Sequence, residues 1–386
     1  MSTLTQTDRA ALTALRRALH RRPEVSGCEA RTAARIATEL RALGADTVTD
    51  LGGHGVAGIA PGAAPGPTVL LRCELDALPI AETGRPDWKS EIPGTAHLCG
   101  HDGHMATMLG AMRLLRRDPP ARGRVIAMFQ PAEEDGSGAI AVCDDPRFAP
   151  LSPDWAFAIH NEPDIPRGTA HVPDGLASAA SVGLRIALTG TEAHACAPET
   201  GVSPAPEIAR LITALPALSR GTFPRPGYRL VTLTHARLGA PAFGIAPGRG
   251  EVFATLRTTS DMDLVRLEED ARALVRDTSG LLIEITTHDR FLAGINDPEG
   301  AAILREAATA AGLEAVHGDP LRASEDFGRF GHDCPAAMLL LGAGPGPALH
   351  NPDYDFDDGL IAPGAELLAG AARRALAKDA PTHRRL

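Results

Sequence analysis

A surplus of basic residues is what this chain most plainly lacks. It has 38 Lys and Arg against 48 Asp and Glu, a formal net charge of −10. That excludes a nucleic-acid partner, because phosphate-backbone contact needs a face rich in Lys and Arg. An acidic small molecule held by one or two local arginines stays open. Long apolar runs are also missing, and the first residues, MSTLTQTDRAALTALRRALHRRPEV, contain no apolar signal core. No membrane span is therefore expected, and a cytoplasmic location is the default expectation. The six cysteines, Cys28, Cys73, Cys99, Cys143, Cys196 and Cys334, include no Cys-x-x-Cys pair. In a reducing compartment most of them read as small buried hydrophobes, and an exception must come from a cysteine's neighbours. There is no low-complexity tract, and charged residues are 22% of the chain, so global disorder is excluded too.

What is present is enough apolar material for a large core. The 386 residues are 44% hydrophobic, and the length predicts two domains. Residues 7–20 place Leu12, Leu15 and Leu19 on one side and Arg16 and Arg17 on the other, as an amphipathic helix does. Ala34, Ile36, Leu40 and Leu43 predict a second helix from Ala30 to Leu43. The short apolar runs Val56–Ile59, Val69–Leu71, Val125–Phe129 and Trp155–Ile159 read as strands, with a helix at Met105–Leu115. Strands alternating with helices predict an α/β fold, a mixed or parallel sheet flanked by helices. Beyond Ser178 the pattern changes. Strands at Val182–Leu188, Leu230–His235, Glu251–Thr258 and Leu281–Thr287 alternate with helices at Pro206–Leu218 and Leu264–Thr278. This β-α-β-β-α-β order predicts a small α+β domain at 179–290, inserted into a catalytic domain formed by 1–178 and 291–386. A strand at Ala337–Leu341 and a helix from Gly364 complete the larger domain.

Four stretches carry candidate chemistry. The densest is His97-Leu98-Cys99-Gly100-His101-Asp102-Gly103-His104. Cys-x-His in an extended segment puts two ligating atoms on one side, and Zn²⁺ accepts both sulfur and imidazole nitrogen. A polar loop with solvated histidines is the plain alternative. The second is Gln130-Pro131-Ala132-Glu133-Glu134-Asp135-Gly136, three acids just after an apolar strand. Adjacent glutamates can divide labour, one holding metal and one moving protons, although an acidic triplet is usually a solvated turn. His160 ends the run Trp155–Ile159, and His350 follows an apolar strand and a Gly-rich turn. Each alone is more often a hydrogen-bonded histidine than a ligand. Together, three of the four signals fall beside expected strand ends, where α/β folds build their sites.

Taken in order, these motifs resemble the M20 metallopeptidase family, in particular its amidohydrolase branch of N-acyl-amino-acid, hippurate and indole-acetyl-amino-acid hydrolases. The resemblance covers nearly the whole chain. It includes His20-Arg21-Arg22-Pro23-Glu24, the segment from Leu71 to Ile80, the Cys99–His104 loop, Gln130–Glu134, His160, Ser324-Glu325-Asp326-Phe327 and Leu349-His350-Asn351-Pro352. It implies two divalent ions per subunit (Zn, Mn or Co), held by Cys99, His101, Glu134, His160 and His350, with Cys99 as a bridging thiolate. It implies Glu133 as general base and acid, and Asp76 as the carboxylate that orients a metal-binding imidazole. His194, in Glu192-Ala193-His194-Ala195, matches the family's catalytic lid histidine, which in dimeric relatives reaches the partner's site. The implied assembly is a homodimer or tetramer through the inserted domain. Arg257 is a candidate anchor for a substrate carboxylate, beside the plain reading of an exposed strand arginine. The implied activity is metal-dependent cleavage of small amides such as N-acyl amino acids. A dipeptidase or carboxypeptidase of the same family is the alternative, and a catalytically silent ligand-binding relative is a further one. Retention of Glu133, which holding metal does not require, argues against the silent relative. Departures from the family pattern fall mostly in the inserted domain: Glu192 in place of Gly, Glu199 in place of His, and Gly244 in place of Asn. Glu74 also stands where this branch usually has Asp.

Overall fold

A computed structural model describes residues 3–275 and 280–381. Residues 276–278, the expected end of the helix begun at Leu264, lie outside the described residues. By contacts the chain divides into two compact units: residues 1–177, 294–320 and 326–386, and residues 178–293 with 321–325.

The first unit is built on an eight-stranded mixed sheet. Its strands lie in the order Asp46–Leu51, Gly55–Pro61, Arg124–Gln130, Thr68–Glu74, Trp155–Pro163, Ala336–Gly344, Thr169–His171 and Glu314–Val316. The four central strands, from Arg124–Gln130 to Ala336–Gly344, run parallel. Parallel strands covered on both faces carry continuous apolar runs, and every residue of Thr68–Glu74 is buried. The helix Gln6–His20 starts where it does because Thr5 forms a capping box with Asp8. The Thr5 hydroxyl accepts the Asp8 N–H (3.1 Å), and the Asp8 carboxylate accepts the Thr5 N–H (3.0 Å). Leu12, Leu15 and Leu19 face the core as expected. In the helix Ala30–Ala42, Ala33 and Ala37 complete the buried face with Ile36 and Leu40, while Ala34 is exposed.

Two expectations are overturned in this unit. Arg16, assigned to the polar face, is fully buried. Its guanidinium pairs with Asp102 (2.8 Å) and with Asp355, and such pairing is what makes a buried charge tolerable. The central helix spans His101–Arg117 and begins four residues before the apolar period does. Its first turn is polar, yet Asp102 and His104 are buried against partners on other elements. Gly103 lets the helix approach Phe356, since a Cβ there would stand 2.3 Å from the ring.

The second unit is a four-stranded antiparallel sheet in the order Arg229–Leu238, Arg249–Thr258, Ala180–Thr189 and Leu282–Phe291. Val182, Leu184, Ile186 and Leu188 are buried alternately along their strand. The helices Ala205–Ala214 and Asp261–Leu274 pack on this sheet. Leu321–Glu325, expected in the larger domain, groups with this unit. Ser178 bridges Leu321, and the Ala179 N–H donates to the Ala323 carbonyl (3.0 Å). No helix among the described residues is long and apolar enough to cross a membrane.

Candidate metal centre

The candidate residues of the first unit gather at the carboxyl ends of its parallel strands. Asp76 follows Thr68–Glu74, Glu133 and Glu134 follow Arg124–Gln130, His160 lies late in Trp155–Pro163, and His350 comes six residues after Gly344. His160 lies inside its strand rather than at the end, because the strand runs on to Pro163. Cys99 and His101 depart further from expectation. They do not share one side of an extended segment. Gly100 takes a left-handed conformation (φ 94°) and caps the helix that His101 opens. The turn brings the thiol and the imidazole together by a different route from strand alternation.

The His101 and His160 imidazoles each have one nitrogen engaged behind the ring and one turned inward. His101 Nδ1 donates to the Asp76 carbonyl oxygen (2.9 Å). Its Nε2 is buried with no hydrogen-bond partner and lies 3.8 Å from Glu133 Oε2 and 3.9 Å from Glu134 Oε1. His160 Nδ1 donates to the Asn161 carbonyl (2.8 Å), and its Nε2 lies 3.5 Å from Cys99 Sγ. His350 Nε2 is 3.5 Å from Glu134 Oε2. Burial, then the nearby His101, lower the His350 pKa, which favours the neutral ring a metal requires. Burial opposes the His101 cation, but the nearby Asp76 carboxylate and the charges of Glu74 and Glu134 outweigh it and hold its pKa up at about 10. The pocket therefore calls for positive charge.

The donor set fits divalent ions. Cys99, His101 and His160 bring their ligating atoms within 4.8 Å of one another, and so do Cys99, Glu134 and His350. Two such triads share one sulfur. Sulfur and nitrogen bound to one tetrahedral Zn²⁺, at about 2.3 and 2.0 Å from it, stand roughly 3.5 Å apart. That matches the Cys99–His160 separation. His101, Glu133 and Glu134 form a third such group, which places Glu133 beside the ligands. The backbone carries strain here. Ala132 (φ 51°) and His350 (φ 65°) are both left-handed, a conformation costing roughly 1–2 kcal/mol per residue.

Behind the ligands lies a buried polar network. Glu74 accepts from Arg72 and pairs with His104 Nδ1 (2.6 Å). His104 Nε2 meets Asn161 Oδ1 (2.7 Å), and Asn161 Nδ2 donates to the Tyr354 hydroxyl (2.6 Å). The longer arm of Glu74 thus reaches both Arg72 and His104. Asp326 accepts from Gln130 Nε2 (2.7 Å) and from the Ala139 N–H (2.8 Å). Asp76 uses its Oδ2 for the Ser26 hydroxyl (2.7 Å) and the Glu134 N–H (3.0 Å), while its Oδ1 stays 3.5 Å from His101 Nδ1. Sequence reasoning assigned no role to His104 or Asn161. The signal for His104 was its place one turn after His101, on the same helix face.

The two remaining candidates lie in the second unit. His194 is exposed, on the short strand Ala193–His194 that pairs with Ile245–Ala246. Its Nδ1 accepts the Cys196 N–H (3.1 Å), which leaves Nε2 as a donor. Arg257 is half-buried, and its Nη1 donates to the Ser324 hydroxyl (2.6 Å). No carboxylate pairs with it among the described residues.

Comparison with known proteins gives a consistent picture. The sequence pattern of Peptidase family M20/M25/M40 matches residues 70–374. An N-acetyl-L-cysteine deacetylase of Bacillus subtilis is 31% identical over 372 residues, covering 95% of this chain and 88% of the relative. An N-acetyldiaminopimelate deacetylase of Exiguobacterium sibiricum is 29% identical, covering 90% of this chain and 94% of the relative. Among solved structures, the Bacillus subtilis YXEP protein, described as a dinuclear metal-binding peptidase of the M20 family, superposes with a TM-score of 0.80. It is 25% identical and covers 97% of this chain and all of its own.

Proposed function

The chain belongs to peptidase family M20/M25/M40, and on that premise we propose that it hydrolyses the amide bond of an N-acyl amino acid or a similar small amide. The observation that carries this reading is the pair of donor triads sharing Cys99, with the Glu133 carboxylate beside them. Cys99, His101 and His160 would hold one divalent ion, and Cys99, Glu134 and His350 would hold the other. Zn²⁺, Mn²⁺ and Co²⁺ all suit this mixture of sulfur, imidazole and carboxylate. Such ions supply Lewis-acid activation of water and of the amide carbonyl.

The chain's own residues do the rest. Glu133 takes the proton of the attacking water and returns it to the leaving nitrogen, the dual role of a positioned carboxylate. Asp76 keeps the His101 ring turned so that Nε2 faces the carboxylates. His194 offers its Nε2–H to developing negative charge, and Arg257 holds a substrate carboxylate. The second unit also serves as the surface for a homodimer or tetramer, which sedimentation of the purified protein checks.

The test is a hydrolysis screen of metal-loaded protein against N-acyl amino acids and, in parallel, unmodified dipeptides. The reading expects turnover of the acylated substrates. Turnover of dipeptides alone points to the dipeptidase alternative. No turnover of either class, with two ions bound, points to the silent relative.

A further inference from the structure

Glu29 is a completely buried carboxylate that precedes the helix Ala30–Ala42, yet its side chain makes no capping bond to that helix. Its Oε1 instead accepts two other backbone N–H groups, from Gly27 (2.9 Å) and from Ala132 (2.8 Å). Its Oε2 is buried with no hydrogen-bond partner, and no cation pairs with it among the described residues. A lone buried carboxylate is costly to keep, and Ser or Asn would serve this helix start with less penalty. The return is found at Ala132. That residue holds a left-handed conformation immediately before Glu133.

The turn around Glu133 is pinned by buried carboxylates of distant segments. Glu29 takes the N–H of Ala132, Asp76 that of Glu134 and Asp326 that of Ala139. Inside the turn, the Gly138 N–H closes on the Ala132 carbonyl (2.9 Å). Glu133 therefore lies between two clamps, one residue from each. The Asp76 and Asp326 carboxylates also serve Ser26 and Gln130 side chains, whereas the Gly27 and Ala132 bonds of Glu29 both go to backbone.

We infer that Glu29 is a positioning residue, which fixes Ala132 through Oε1 and so aims the Glu133 carboxylate. The inference rests on Glu133 acting as the base, as proposed above. It makes acceptor position decisive and charge irrelevant. Glu29→Gln keeps an oxygen at the same reach, while Glu29→Asp keeps the charge but falls short by one methylene.

The experiment compares Glu29→Gln, Glu29→Asp and Glu29→Ala in full-length, metal-loaded enzyme. It measures kcat, KM, bound metal and hydrogen exchange of the Ala132 amide. The expected result is native-like kcat and amide protection for Gln. Asp and Ala should lose about 10²-fold in kcat, as misplacement of a reacting group does, with faster Ala132 exchange and metal content unchanged. Thr32→Ala loosens the same helix by removing a hydroxyl bond to Glu24 (2.9 Å), and should lower Tm while leaving both readouts alone. If Glu29→Ala does not fold, the Gln and Asp pair decides. Native kcat in Glu29→Asp, or unchanged Ala132 protection there, overturns the inference. Failure of the base assignment would show separately, as activity retained in Glu133→Gln, with the exchange measurement still reporting the clamp.

Discussion

Apart from the exposed loop that carries His350, the loops with candidate chemistry in the two units are built on opposite plans. In the first unit, Cys99–His104 is buried, and Ala132 to Glu134 is buried or nearly so. Its backbone N–H groups end on carboxylates that are themselves enclosed. In the second unit, His194 is exposed and held by a two-residue ladder, and the neighbouring Phe243 is fully exposed. The departures from the family pattern divide the same way. Glu192, Glu199 and Gly244 lie in the exposed loops of the second unit, where a change costs little stability. The one departure in the first unit, Glu74, is absorbed by two buried partners, Arg72 and His104. On the proposed function, the enclosed loops would constrain the reaction type, and the exposed ones would leave substrate choice free to vary.

That contrast can be broken at either end. Glu133→Gln should lower kcat by about 10²–10⁴ and leave bound metal unchanged, since it removes proton transfer and no ligand. Glu134→Gln should instead release metal, and an exchange of these two phenotypes would reverse the assignment. His194→Ala should lower kcat by about 10²–10³ at full metal content, the range for loss of one oxyanion donor. An unaltered kcat would confine chemistry to the first unit. If His194 serves a partner subunit, mixing His194→Ala with Glu133→Gln protein should restore part of the rate. Asp76→Ala should weaken metal affinity by about 10–100-fold, through loss of support behind His101 and Glu134. The smallest effect is expected at Arg257→Ala, about a tenfold rise in KM for carboxylate-bearing substrates with kcat nearly intact. An equal rise for substrates lacking the carboxylate would remove Arg257 from recognition.

Much of the architecture was legible because periodicity reports burial. The runs Val125–Phe129 and Trp155–Ile159 announced buried strands, and Val182–Leu188 announced a half-buried one. Periodicity is silent about buried charge, and the errors fall there. Arg16 reads as polar surface until its partners Asp102 and Asp355 arrive from distant segments. The first turn of the His101 helix was hidden by its own polar residues. The metal-site candidates were legible as motifs, but the way they meet was not, because Gly100 turns the chain where alternation was expected. Glu29 and Asn161 gave no such signal, because their contacts are with segments far away in sequence.

The central claim is amide hydrolysis dependent on two ions sharing the Cys99 sulfur. Its most direct test follows the rate on an N-acyl amino acid while chelated protein receives Zn²⁺ or Mn²⁺ stepwise, with bound metal counted at each step. The account predicts no activity without metal, full activity only as the second equivalent binds, and loss of affinity for both equivalents in Cys99→Ser. Full activity in metal-free protein, or a Cys99→Ser enzyme that binds two ions as tightly as the native chain, would contradict it.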